Sequence, residues 1–401
     1  MKVHEIATHG QLVPQKLSVR ETPHLVLEPN TTCNIRCAAC YNVDKGHVKP
    51  LEQVIAEIDR GLALRDLDTI SILGGEPTLH PDIERIVEAI KSRGLFCIML
   101  TNGVGFLEDP TRIDRLMAAG VDRFVLHVDH GQEHVHADID AARRALAELM
   151  EQRRMWFALS VTMRRGQEDG LPALMKDYAA FRFFDGILVT LAMDPAGVVA
   201  DQPPADVEPD FVEVYRSMGR HLGVEPTAYI PSSLADDDVS WLMYFYYLNS
   251  RTGAAFATSP RVSRLFRWLY RRLTGRHFFG ATLQPRWFLL GLWVSILVEL
   301  LIRPTRLGEV SRLLRDARGA LRLHYVVLQE SPRFDHAAGR LRICWHCPDA
   351  TIRNGLLTPV CIADQINPLG VGPRGARASP EVVHTVLAHL EQDPAAAVTT
   401  G

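Results

Sequence analysis

Cys33, Cys37 and Cys40 stand as C-x3-C-x2-C in the run TTCNIRCAACYN. Thiolates hold iron–sulfur clusters, normally four cysteines to a four-iron cluster. A compact set of three, followed by Tyr41, leaves one iron open to an exchangeable ligand, and that vacancy is where chemistry can happen. Residues 70–81 read ISILGGEPTLHP, in which Gly74 and Gly75 allow the backbone to come close to a ligand. A second cysteine set occupies residues 344–361, CWHCPDATIRNGLLTPVC, with C-x2-C-x13-C spacing. Two neighbouring thiolates and a third returning through a turn at Asn354-Gly355 can converge on one metal. The fourth ligand there is His346, Asp349 or a group of the substrate. Zinc chemistry stays open at both places: a zinc knuckle at the first set, and a site of Cys344, Cys347, Cys361 and His346 at the second.

The first two runs together resemble the signature of the radical S-adenosylmethionine superfamily, which carries Gly-Gly-Glu-Pro at the end of its second strand. The resemblance implies a [4Fe-4S] cluster on Cys33, Cys37 and Cys40, with S-adenosylmethionine chelated to its open iron. It also implies reductive cleavage of the sulfonium to a 5'-deoxyadenosyl radical, which abstracts hydrogen from substrate. In this reading Glu76 offers its carboxylate to the methionine ammonium group, and Tyr41, Gly74, Gly75, Pro77 and Asn102 complete that side of the cofactor site. Residues 127–131 read HVDHG where many relatives carry Ser-x-Asp-Gly, so Asp129 matches and His127 takes the serine position. Ser160 and Arg164 resemble positions that touch the ribose or carboxylate of S-adenosylmethionine. The second set resembles the C-terminal cluster of the GTP-cyclising enzymes of molybdenum-cofactor synthesis and the shortened auxiliary-cluster domains of peptide-modifying relatives. It implies a second [4Fe-4S] cluster, with zinc as the alternative. The family reading also brings an electron donor such as flavodoxin or ferredoxin.

Short apolar runs at 24–28, 69–73, 95–100, 122–128, 156–162 and 186–191 read as strands. Between them Leu51, Val54, Ile55, Ile58 and Leu62 recur at helical spacing, as do Ile83, Val87 and Ile90, and Asp109-Pro110 reads as the N-cap and first position of a third helix. Alternating strands and helices imply a parallel sheet with right-handed crossovers. The fold class is therefore α/β, a six-unit partial (βα) barrel with an α-rich apolar insertion and a small C-terminal cysteine-cluster region. Both motifs lie just past the C-terminal ends of strands, where such barrels place active sites. Cys97, inside the third strand, reads as a small buried hydrophobe. His130 and His134 could share a helix face, which leaves a mononuclear metal site conceivable.

The expected organisation is an N-terminal extension (1–23), the barrel (24–200), the insertion (201–310), the auxiliary-cluster region (311–378) and a final helix and tail (379–401), the helix itself running from Ser379 to about Glu391. The insertion contains an arginine-rich stretch, 261–276, with no acid. On a helix it places Val262, Leu265, Phe266, Leu269 and Leu273 on one face and Arg264, Arg267 and Arg271 opposite, the composition of helices that lie at anionic membranes. The following run, 287–302, is apolar except for Ser295 and Glu299. As a helix it reaches about 24 Å, short of the roughly 30 Å hydrocarbon core, so a buried helix, an interfacial segment and the wall of an apolar tunnel are all consistent with it.

The 401 residues, 47% of them hydrophobic, suffice for a large core, and a net charge of −3 gives no reason to expect nucleic acid as a partner. Seven cysteines in two triples plus Cys97 do not form a secreted disulfide framework, and the N-terminus lacks the apolar core of a signal peptide. The expected location is cytoplasmic, with peripheral contact at the inner face of the membrane. Three functions follow. The first is radical C–H activation of a hydrophobic substrate such as a lipid or isoprenoid; the second is the same chemistry on a nucleotide or ribosomal peptide; the third is a non-catalytic metal-binding scaffold.

Overall fold

The computed structural model describes residues 1–6, 12–37, 40–42, 45–193, 208–278, 285–335 and 340–367. The helix expected over 379–391, its tail and nearly all of the loop expected before it lie outside the described residues.

The six expected strands form as β1 (His24–Asn30), β2 (Thr69–Gly74), β3 (Phe96–Thr101), β4 (Arg123–Leu126), β5 (Phe157–Met163) and β6 (Phe184–Leu191). Each pairs in parallel with the next. All of β1 and β4 is buried, as parallel strands covered on both faces require. The intervening helices are α1 (Leu51–Leu64), α2 (Ile83–Ser92), α3 (Val104–Glu108), α4 (Thr111–Ala119), α5 (Ile139–Gln152) and α6 (Gly170–Tyr178). Val54 and Ile58 of α1 and Ile86, Val87 and Ile90 of α2 are fully buried in the core, so the apolar spacing has set which face turns inward. The helix expected at Asp109-Pro110 starts at Thr111, one residue later. Pro110 is its N-cap, and Asp109 Oδ1 accepts from the Thr111 amide (3.1 Å) and hydroxyl (2.5 Å). The preceding α3 is too short to leave a periodic pattern.

The insertion departs from expectation. After α7 (Phe211–Leu222) the chain forms β7 (Ala228–Pro231), β8 (Val239–Asn249) and β9 (Ala255–Ala257). Trp241, Tyr244, Phe245, Tyr246 and Tyr247 all lie on β8, so this half of the insertion is strand, as a run of bulky aromatics favours. Helices α8 (Pro260–Thr274), α9 (Pro285–Ile302) and α10 (Leu307–Leu314) follow, then β10 (Leu321–Gln329). Strand β10 pairs in parallel with β6 and antiparallel with β8, which carries the sheet past the barrel's sixth strand.

Beyond a small hairpin, β11 (Arg333–Asp335) with β12 (Arg340–Arg342), come β13 (Ala350–Arg353), β14 (Leu356–Pro359) and the one-turn helix α11 (Ala363–Ile366). Strand β13 lies parallel to β1 with Val26 opposite Thr351, and turns through Asn354 and Gly355, both at positive φ, into antiparallel β14. The join is pinned by Arg353, wholly buried, which donates to Glu28 Oε2 at 2.9 and 2.7 Å and to Asp364 Oδ1 at 2.9 Å. At the sheet's other end the Trp345 amide donates to Pro231 O (2.9 Å) and the Ser233 amide to Ile343 O (2.8 Å). Residues 343–353 therefore run from the β7 edge to the β1 edge, across the side that six strands alone leave open.

Candidate active site

The first cysteine loop leaves the end of β1 and is fastened to the end of β2. The Gly75 amide donates to Asn30 O and the Glu76 amide to Thr32 O, both at 2.8 Å, while Asn30 Nδ2 donates to Glu76 O at 3.0 Å. Gly74 has φ +123°; a Cβ there would stand 2.3 Å from Asn30 O, and one at Gly75 would stand 2.1 Å from Thr32 O. The glycines thus admit the backbone of the cysteine loop itself, a closer requirement than the approach of a ligand that the sequence suggested.

Three side chains reach the three thiols. Asn102 Nδ2 lies 3.9 Å from Cys33 Sγ, Gln132 Nε2 3.5 Å from Cys37 Sγ, and Lys45 Nζ 3.1 Å from Cys40 Sγ. Burial raises the Cys33 thiol, and burial together with the Cys40 thiol pushes Cys37 to about 11. Iron bound by these thiols would offset that cost, because ligand thiols are deprotonated on metal binding. Glu76 is buried, and burial raises its carboxyl against the pull of its donors. Its Oε1 accepts from the Thr78 amide and hydroxyl and the Thr101 hydroxyl, and its Oε2 from the Asn102 amide at 2.8 Å. With the Asn102 amide as its donor, Oε2 keeps a lone pair for a further donor.

Tyr41, Gly74, Gly75, Glu76, Asn102, His127 and Ser160 line the same cavity as the first cysteines. Pro77, Asp129 and Arg164 do not line it. Pro77 is buried at the start of the short turn after Glu76. Asp129 accepts from the His130 and Thr162 amides and faces Arg143, tying β4 to β5 and α5. The Arg164 amide donates to Gln167 Oε1. His130 and His134 share no helix face: residues 130–137 form turns, His130 pairs with Glu133, and His134 Nε2 accepts from the Arg36 amide at 3.2 Å. Cys97 is fully buried in the core.

The second set lines the same cavity. Cys344 sits at the β7 edge, where Trp241 Nε1 donates to its sulfur at 3.0 Å; Cys347 is buried beside it, and Cys361 lies in the turn after β14. Hydrogen bonding to Cys344, burial and the neighbouring thiols raise Cys347 well above its ordinary value, and burial raises Cys361. Of the two protein groups considered as fourth ligand, Asp349 lines the cavity and His346 does not. Gln329 Nε2 donates to Asp349 Oδ2 at 2.8 Å, and His346, at φ +40°, packs edge-on against Trp345. Beneath the turn lies Arg65, almost wholly buried, donating to the carbonyls of His24, His346, Cys347 and Pro348.

All six cysteines of the two sets line one cavity of about 230 Å³. By donor type, though not by the spacing of the side chains, the two sets, three soft thiols each with no fourth cysteine beside them, suit iron–sulfur clusters that keep an open position. Among the described residues, no three His, Cys, Asp or Glu side chains stand together at metal-binding geometry.

Residues 27–152 match the model of the Radical SAM superfamily. The chain carries a radical SAM domain. Curated relatives of that domain include a PqqA peptide cyclase of a Methylobacterium species, 29% identical over 167 residues, 38% of this chain and 42% of the relative. A GTP 3',8-cyclase of Chlorobaculum tepidum is 27% identical over 177 residues, 41% of this chain and 53% of the relative. The chain thus spans about half the length of these two relatives. Among solved structures, Streptococcus suis SuiB aligns at a TM-score of 0.41 and 16% identity, over 51% of this chain and 46% of that one. Lys45, Gln132 and Arg65 belong to none of the motifs read from the sequence. Lys45, five residues past Cys40, is the one whose proximity offered a signal.

Proposed function

We propose that this chain is a radical SAM enzyme that activates a C–H bond of a substrate held between its two cysteine sets. One observation carries the reading: both triples line a single cavity, together with Glu76, Asn102, Asp349 and Trp241. Cys33, Cys37 and Cys40 would hold the cluster that, with S-adenosylmethionine and an electron from a flavodoxin- or ferredoxin-like donor, supplies a 5'-deoxyadenosyl radical. Asn102, Gln132 and Lys45 orient the three thiols, and the free lone pair of Glu76 receives an ammonium group. Cys344, Cys347 and Cys361 would hold a second cluster, or zinc completed by another ligand. Leu100, Leu188, Leu191, Met193 and Val360 make much of the remaining wall apolar, which excludes water from a reactive radical and supports a substrate with a hydrophobic portion.

A peptide or nucleotide substrate is the second reading, favoured by the relatives described as a peptide cyclase and a GTP cyclase. The test is anaerobic reconstitution with iron and sulfide, then addition of S-adenosylmethionine and a strong reductant. Release of 5'-deoxyadenosine is expected from the wild type and not from the chain with Cys33, Cys37 and Cys40 changed to Ala. Undiminished release from that variant refutes the assignment, and no release from a fully loaded wild type favours a non-catalytic scaffold. Transfer of deuterium from labelled lipid, peptide or nucleotide candidates into 5'-deoxyadenosine then separates the substrate classes.

A further inference from the structure

Helix α8 does not bury the face that its sequence suggests. Val262, Ser263 and Tyr270 are buried, and Phe266 and Tyr270 pack edge-on against Phe278, whereas Leu265 and Leu273 are exposed by 41% and 66%. Trp268, between them, is 58% exposed. The helix turned because its aromatic stripe, spaced four residues apart, found the larger partner. Arg267 is drawn inward with it, and burial lowers its pKa to about 10.

Helix α9 packs on α8 through Gly291, where a Cβ would stand 2.5 Å from the Phe266 ring. It buries Leu292, Ser295, Ile296 and Glu299. Glu299, the one acid in the run, is spent internally: it accepts from the Ser259 amide and hydroxyl and from Arg306. The opposite stripe is Trp293, Val294, Leu297 and Leu301, the last two 60% and 74% exposed. Among the described residues, nine of the twelve large hydrophobics that stand exposed fall between 265 and 307. Scattered exposed apolar residues need no explanation, but a concentration of them marks a contact surface.

The charge around this surface is one-sided. Residues 253–298 hold seven arginines and no Asp or Glu. Arg261, Arg264 and Arg272 are exposed on α8 beside Leu265 and Trp268. Arginine and tryptophan interleaved along an apolar stripe is the composition of a helix lying in the headgroup region. No helix among the described residues is long and apolar enough to cross a membrane, and one side of each helix is already committed to the protein body. We infer that α8 and α9 form a docking surface for an anionic lipid bilayer, lying along it with Trp268, Leu297 and Leu301 inserted and Arg261, Arg264 and Arg272 among the headgroups. The surface stands apart from the cysteine cavity and does not depend on the reaction proposed there.

The test is co-sedimentation of the full-length reconstituted protein with vesicles of phosphatidylcholine alone or mixed with phosphatidylglycerol, at low and high salt. Wild type is expected to pellet with the mixed vesicles and far less with phosphatidylcholine. Changing Arg261, Arg264 and Arg272 to Gln should weaken binding by about a hundredfold at low salt and much less at high salt, where screening shortens to a few ångströms. Trp268→Ser with Leu297→Ser and Leu301→Ser should abolish binding at both salts. These side chains are exposed, so the same variants should keep the wild-type thermal melt and 5'-deoxyadenosine release, which reads folding and chemistry separately from docking. The inference fails if wild type stays in the supernatant with mixed vesicles, if it binds both vesicle types equally, or if the serine variants bind as wild type does. It also fails if the wild type is a dimer without vesicle affinity that the serine changes split, which assigns the face to a second copy of the chain.

Discussion

Arg65 offers the sharpest test of how the second cysteine set is built. Its guanidinium, at the end of α1, donates to His24 O (2.6 Å), Cys347 O (2.9 Å), Pro348 O (3.2 Å) and His346 O (3.3 Å). Among the described residues it makes no direct ion pair with a carboxylate; burial lowers its pKa to about 10, and the cation is held by these carbonyls and favoured by the nearby Cys347 and Asp349. Arg65→Met keeps the length and removes every donor. Stripping three buried carbonyls in the turn costs about 1–3 kcal/mol each, and sparing a guanidinium its desolvation returns several kcal/mol. The net expectation is a loss of about 3 kcal/mol, read as a lower midpoint in chemical denaturation of the metal-free chain. Metal at the second set should fall with it while metal at the first set stays, because the turn that spaces Cys344 from Cys347 loses its anchor. Arg65→Lys should recover part of both, since an ammonium reaches fewer of the carbonyls. An Arg65→Met chain with the wild-type midpoint and full metal content at Cys344, Cys347 and Cys361 would refute the reasoning.

Iron analysis of the anaerobically loaded protein should give about eight irons per chain for two four-iron clusters, dropping to about four when Cys344, Cys347 and Cys361 are changed to Ala; stoichiometric zinc with one cluster's worth of iron would make the second set structural. Glu76→Gln should weaken S-adenosylmethionine binding by about tenfold or more, since a neutral amide replaces a charged acceptor, and should destabilise the turn because an amide nitrogen must face a donor from Thr78, Thr101 or Asn102; an unchanged dissociation constant in calorimetry would leave Glu76 a purely structural role. His324 is fully buried between Phe184 and Tyr246, and burial lowers its pKa from 6.5 to about 4. The unfolded chain binds that proton first, so the stability from a neutral His324 is complete above pH 6.5 and is lost as pH falls towards about 4. The slope should approach about 1.4 kcal/mol per pH unit, and denaturation midpoints of His324→Gln across that window should show a flatter dependence.

What the sequence reveals and what it hides divide along the range of the interactions. The six barrel strands and the helices after the first two are legible because each is written in its own residues: Val54 and Ile58, or Ile86 and Ile90, mark an inward face without reference to anything distant. The aromatic run from Trp241 to Tyr247 falls in an insertion expected to be α-rich, and pairing with β10, some eighty residues on, makes it strand. Helix α8 fails in the other direction. Its periodicity is genuine, but two apolar stripes compete, and the winner is set by Phe278 and Gly291, which a helical projection cannot show. At the site, the motif residues Cys33, Glu76 and Asn102 come together as spacing suggests. Gln132 and Lys45 reach the sulfurs through loop geometry that no local pattern encodes, and Asp129, within a motif position, is turned to hold β4 against β5.

The route of residues 343–353 links the second cysteine set to the integrity of the barrel. This stretch hydrogen-bonds Pro231 at the end of β7 and Ser233 just past it, carries Cys344 and Cys347, passes over Arg65, and then enters the sheet beside β1 as β13. Strand β1 in turn leads directly into the loop of Cys33, Cys37 and Cys40, and Arg353 locks β13 to Glu28 of that strand. A metal that drew Cys344 and Cys347 towards Cys361 would therefore act on the segment that closes the open side of the sheet, at a strand that positions the first set. The two sets are separated by some three hundred residues in sequence, yet only one strand pairing, β13 on β1, stands between them. That short path runs beside the cavity that both sets line.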